Sequence, residues 1–206
     1  KWVKKGAKFT YLVCTDGSKG SDDPRMTARR LAAIRKREQR DAAKILGVRD
    51  VIFLGHRDGE LTADLKLKEE IVRVIRQKRP ELVITLDPAF FYSPARGFVN
   101  HSDHRAAGQA AVDAVFPLAR DRLNFPHYEK QGLTPHKVRT LFLVSFDAPT
   151  HLEDISATFG KKLATLNAHK SQVGSDALAR TKERGRLLGR KGRMRYAEGF
   201  KRIELS

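Results

Sequence analysis

Short runs of apolar and β-branched residues alternate along the chain with longer segments whose apolar residues recur every three or four positions. The short runs cover residues 8–14, 51–54, 82–86 and 141–146, and each predicts a strand. Between them, residues 27–46 set Leu31, Ile34, Ala42, Ile45 and Leu46 on one stripe, with Gly47 as the stop signal. Residues 65–78 repeat Leu67, Ile71, Val74 and Ile75 on one face before Pro80. Further helices are expected over 101–119, 158–169 and 177–190. The tail, 196–205, is expected to add a final turn or an edge strand. Lys1 to Gly6, basic residues and then a glycine, reads as the end of a helix. With no initiating methionine, the chain is expected to lack its true beginning.

Strands alternating with amphipathic helices imply an α/β fold, a mostly parallel sheet covered by helices on both faces. No repeat, linker or low-complexity stretch breaks the pattern, so a single domain over 1–206 is expected. Ligands of such sheets lie beyond the carboxyl ends of the strands. The loops gathered there are 15–24, 55–59, 87–104 and 145–150.

Composition narrows the class. One cysteine among 206 residues rules out a disulfide framework and points to a reducing, cytoplasmic setting. Cys14 itself falls in a strand and is read as an inert core thiol. No run approaches the ~20 apolar residues of a membrane-spanning helix. The net charge of +17 raises the question of nucleic acid. The cations are spread over 25–40, 66–79 and 180–195, however, with no interleaved aromatics to stack bases. A solvated basic surface, or attraction to anionic substrates, fits better.

The chemistry concentrates at Asn100-His101-Ser102-Asp103-His104-Arg105, where a loop becomes an alanine-rich helix. Residues three apart share a helix face, so His101 and His104 can address one pocket, one holding a metal and the other handling a proton or a developing negative charge. Two imidazoles are fewer than the three or four ligands a zinc site uses, and a capping arrangement would show the same residues. The loop at 15–20 carries two glycines but neither the Walker nor the dinucleotide spacing. His127 and His136 are expected at the solvent-exposed margins of a loop, and His56 and His151 near the active edge.

Taken together, the stretch 100–106, the loop 15–20, the segments 34–38 and 42–47, Phe53-Leu54-Gly55 with Asp58-Gly59, and His169-Lys170-Ser171-Gln172 resemble the PIG-L (LmbE-like) zinc-dependent N-deacetylases. The likeness runs in order along nearly the whole chain. It implies a Rossmann-like fold whose first strand precedes Lys1, and hydrolysis of an N-acetyl group on an N-acetylglucosamine-type sugar or its conjugate. It further implies that His104 is a metal ligand, with His101 acting on the oxyanion or the leaving amine and Asp103 supporting it. Arg35 and Asp58 match positions of substrate binding or pocket shaping. The family's other zinc ligands and its general base come from a His-Pro-Asp-Asp element that this chain does not contain and that is expected upstream. Ser102 stands where proline is common.

Those roles suit the chemistry, since amide hydrolysis needs an activated water and a stabilised oxyanion. Zn2+ is the expected cofactor, although imidazole and carboxylate donors suit other divalent ions too. The expected partner is a small acetylated amino sugar, with no membrane and no nucleic acid, and with oligomeric state open, a homo-oligomer included. The alternative is a non-catalytic Rossmann-like sugar- or phosphate-binding module lacking the first metal motif. His169 is expected to serve in packing.

Overall fold

The computed structural model describes residues 1–94, 97–144 and 148–206. They group into two compact units, Lys1–Gly59 with Leu152–Glu198, and Glu60–His151 with Gly199–Ser206. The fold is the expected Rossmann-like α/β class.

In the first unit, β1 (Thr10–Thr15) pairs in parallel with β2 (Asp50–His56). The crossover between them is α1 (Ala28–Leu46), whose amino end is capped by the Thr27 side chain accepting from Arg30 N–H. Gly47 ends it at φ 80°, a left-handed turn that favours glycine. Leu31, Ala42 and Ala43 form the buried stripe of α1, and α1 packs against α4 (Phe159–Asn167). Ile155, Phe159 and Tyr196 make a small core, with the two rings stacked at 3.8 Å. The last helix of this unit is α5 (Ser175–Lys191). Cys14 is half-buried in β1 rather than sealed in the core.

The second unit is built on β3 (Leu82–Leu86) and β6 (Thr140–Val144), paired in parallel from Leu82 with Thr140 to Leu86 with Val144. Ahead of β3 runs α2 (Leu65–Lys78), capped by Asp64 accepting from Leu67 N–H at 2.9 Å. Its core residues are Leu67, Ile71, Val72 and Ile75, so Val72 takes the inner place expected for Val74. After β3 comes α3 (Ser102–Asp113). A Cβ on Gly108 would lie 2.5 Å from the Leu86 carbonyl oxygen, so glycine lets α3 lie directly against the carboxyl end of β3.

Several elements depart from expectation. The stretch 87–100 is not all loop: β4 (Tyr92–Ser93) and β5 (Phe98–Val99) pair antiparallel. The helix expected over 101–119 is interrupted, because Pro117 cannot donate to the helical ladder and Phe116 leaves the helical region. Arg76, 2% exposed, donates to the carbonyls of Leu118, Ala119, Asp121, Asn124 and Phe125 and so gathers the segment that follows. A short strand, β7 (His151–Asp154), was not expected. The tail forms β8 (Ala197–Glu204), but not at an edge: the sheet order is β3-β6-β8-β7, and β8 runs antiparallel to β6. The end of the strand expected at 141–146, and part of the loop 145–150, lie outside the described residues.

Candidate active site

The His101–His104 pair stands where α3 begins, beside the carboxyl end of β3. Asp87, directly after β3, is 2% exposed; its carboxylate accepts from Ala89 N–H at 3.0 Å and from Lys201 Nζ at 2.7 Å. That ion pair, buried on its Asp87 side, fastens the start of the segment that carries the histidines.

His101 is the amino-terminal cap of α3. Its Nδ1 accepts from Asp103 N–H at 3.1 Å, so in the neutral ring the proton belongs to Nε2. Asp103 is buried; one carboxylate oxygen accepts from Leu61 N–H at 3.3 Å and the other lies 4.0 Å from His101 Nδ1. The two imidazoles are neighbours, with ring centroids 5.5 Å apart, and both are solvent-accessible.

Asn100 decides the tautomer of His104. It is 3% exposed, and its Nδ2 donates to the Phe90 carbonyl at 2.9 Å, which turns Oδ1 toward His104 Nδ1 at 3.3 Å. An amide oxygen only accepts, so Nδ1 carries the proton and Nε2 the lone pair. A histidine fixed in this way by an oxygen acceptor on its second nitrogen has the setting of a metal ligand. The donor chemistry at His104 therefore fits a divalent ion.

In the first unit, Arg35 and Asp58 meet at the loop after β1. Arg35 donates to the carbonyls of Gly17 and Gly20 at 2.5 and 2.7 Å, and its guanidinium lies 3.6 Å from Asp58. Asp58 accepts from Lys19 N–H at 3.0 Å and donates its own N–H to Asp16 at 3.1 Å. A Cβ on Gly17 or Gly20 would come within 2.7 or 2.8 Å of the Arg35 side chain, so both glycines make room for it. Burial would raise the Asp16 carboxyl, but hydrogen bonds from Ser18 and Asp58 outweigh it and hold the group below its ordinary value.

Of the other histidines, His127 forms an ion pair with Glu69 at 2.9 Å and is exposed. His136, expected to be exposed, is instead half-buried, with Nε2 on the Pro80 carbonyl at 2.8 Å. The His151 ring lies 5.1 Å from that of Phe142. The His169–Gln172 motif ties to α1, where buried Glu38 accepts from both the backbone and the hydroxyl of Ser171, at 2.8 and 2.7 Å. His169 Nδ1 is buried without a hydrogen-bond partner, and burial lowers this ring's pKa although Glu38 pulls the other way.

Sequence reasoning therefore places His101, Asp103 and His104 together; that Arg35 and Asp58 meet is found only in the structure. It misses the orienting role of Asn100 and the Asp87–Lys201 pair. An asparagine directly before the histidine stretch was a usable signal for the first; nothing local marks Lys201 as the partner of Asp87.

Residues 1–115 match the PIG-L family, described as GlcNAc-PI de-N-acetylase. The chain is 32% identical to the diacetylchitobiose deacetylase of Thermococcus kodakarensis, over 98% of this chain and 74% of that protein. It is 27% identical to a probable N-acetyl-alpha-D-glucosaminyl L-malate deacetylase 2 of Bacillus anthracis, over 84% and 73%. Among solved structures, the N,N'-diacetylchitobiose deacetylase of Pyrococcus horikoshii superposes with a TM-score of 0.88 at 27% identity, over 98% of this chain and 75% of that one. No helix among the described residues is long and apolar enough to cross a membrane. The match over the first half of the chain and the end-to-end likeness to a deacetylase agree: this chain belongs to the PIG-L family of deacetylases.

Proposed function

We propose that this protein removes the acetyl group from the nitrogen of an N-acetylglucosamine-type sugar or a conjugate of one. The observation that carries this reading is the complementary setting of the two imidazoles, with a lone pair on His104 Nε2 and a proton on His101 Nε2. His104 would hold a divalent ion, zinc by the family's habit. When bound, such an ion supplies Lewis acidity toward the amide carbonyl and toward water.

His101 has a different task. Its Nε2–H is a donor for the negative charge that develops on the carbonyl oxygen, and in the imidazolium form, protonated on both nitrogens, the ring can pass the Nε2 proton to the departing amine and return to neutral. In the neutral ring the Asp103 N–H fixes the orientation of His101, and in the imidazolium the Asp103 carboxylate near Nδ1 offsets the positive charge. Arg35 and Asp58 fasten the loop at 16–20, and substrate binding is the role assigned to them in this reading. The substrate is a small acetylated amino sugar.

Full-length protein loaded with zinc, carrying the metal motif expected upstream, should release acetate from N-acetylglucosamine derivatives, lose that activity to a chelator and regain it with added metal. Metal-loaded full-length protein inert toward a broad panel of acetylated amino sugars would overturn the proposal and favour a non-catalytic sugar-binding module.

A further inference from the structure

The solvent side of α5 gathers cations around one phenol. Lys182, Arg186 and Arg190 recur every four residues, so they share a stripe, and all are exposed. The chain then folds back on the helix. Met194 N–H donates to the Gly189 carbonyl at 2.8 Å, and a Cβ on Gly189 would lie 2.6 Å from the Met194 carbonyl oxygen. Glycine permits that close approach, which returns exposed Arg195 to the same region. Tyr196 follows, with its ring stacked on Phe159 at 3.8 Å and set against Gly185, where a Cβ would come within 3.4 Å of it. The ring is buried, and the guanidinium carbons of Arg186 and Arg195 stand 5.9 and 5.6 Å from its centroid. Arg186 donates a hydrogen bond to the phenol oxygen. That bond, opposed by burial and helped by the charges of Arg186, Arg195 and Lys182, holds the hydroxyl below its ordinary pKa.

Among the described residues, no carboxylate forms an ion pair with Lys182, Arg186 or Arg195; Glu183, three positions before Arg186, pairs with none of them. Like charges one turn apart destabilise a helix, and an anion among them turns that repulsion into attraction. We infer that Lys182, Arg186, Arg195 and the Tyr196 hydroxyl form a binding site for a phosphate group, free or carried as a monoester on a small molecule. Arg186 uses the phenol oxygen as an acceptor, which leaves the O–H to donate outward. Guanidinium forks take phosphate oxygens in pairs, and the ammonium adds a point charge. A doubly charged tetrahedral anion suits this donor set better than a carboxylate, which brings one charge and two oxygens. The site lies wholly within the first unit and does not depend on the deacetylase reading.

The test titrates full-length protein calorimetrically with inorganic phosphate and with glucose 6-phosphate, and follows Tm in phosphate and in chloride at matched ionic strength. Wild type should bind phosphate and gain Tm over chloride, and His104→Ala should respond equally. Arg186→Gln and Arg195→Gln should each weaken phosphate binding about tenfold or more, and Tyr196→Phe about threefold. Tighter binding of glucose 6-phosphate would identify a monoester as the ligand, and equal or weaker binding the free anion. In phosphate-free buffer Arg195→Gln should be at least as stable as wild type, because it removes repulsion. A loss of stability there would make Arg195 structural and overturn the site, as would a chloride response matching that of phosphate. Loss of the phosphate response in His104→Ala would place the anion elsewhere and equally overturn it. So would a short single-stranded RNA that binds more tightly than phosphate and loses as much affinity in Arg190→Gln as in Arg195→Gln, since that pattern marks a polyanion surface.

Discussion

Two polar clusters of this chain use similar residues in opposite ways. At Asn100–Arg105, each imidazole is oriented by a hydrogen bond: Asn100 sets the tautomer of His104, and the Asp103 amide sets that of His101. Both imidazoles remain solvent-accessible. At the loop after β1, the terminal guanidinium nitrogens of Arg35 and the carboxylates of Asp58 and Asp16 are engaged with one another and with backbone groups nearby, and the Arg35 and Asp58 side chains are each only 14% exposed. On the proposed reading, the first cluster serves chemistry with an outside molecule and the second holds a loop. The difference is legible in what each hydrogen bond leaves available, not in residue type.

The largest test of that contrast is at the histidines. His104→Ala should abolish metal binding, read by elemental analysis, and take deacetylation to background. His101→Ala should keep the metal and lose about 100-fold or more in kcat. Equal metal loss in both variants would contradict the division of roles. Asn100→Ala comes next: losing the acceptor that orients His104 should cost about 10- to 100-fold in metal affinity or activity, and an unchanged metal affinity would break the tautomer argument.

Arg35→Met tests the other cluster. It strands the Gly17 and Gly20 carbonyls and should lower stability by about 1–3 kcal/mol in urea unfolding, with a several-fold rise in KM and little change in metal content. A rise in KM without any loss of stability would make Arg35 a direct substrate contact instead of a loop fastener.

The smallest effect concerns His169, whose folded-state pKa burial holds below the ordinary 6.5. The unfolded chain takes up this proton first as pH falls, so the stability linked to the neutral ring is complete above that value and declines as the pH drops through and below it. Unfolding free energies measured between about pH 7 and pH 5 should fall less steeply in His169→Leu than in wild type; identical slopes would show that the buried ring plays no part.

Much of the molecule could be read from local spacing. Helical geometry puts residues three apart on one face, so His101 and His104 were bound to be neighbours once α3 formed. Leu67, Ile71 and Ile75 marked the buried side of α2, while Val74 gave way to Val72, since a helix stripe about 100° wide leaves its flanks to be settled by what packs there. Pro117 was a visible break that the alanine periodicity around it obscured.

The sequence alone thus determined the alternation of elements, the glycine-ended α1 and the juxtaposed imidazoles, because each depends on contacts within a few residues along the chain. Tertiary structure alone decided that β8 would enter the sheet antiparallel beside β6, that Lys201 would neutralise Asp87 from 114 positions away, and that Ser171 would reach Glu38 across 133. Those partners are chosen by where the backbone returns in space. Residue type supplies only the capacity to bond, and many other lysines and serines in the chain have the same capacity.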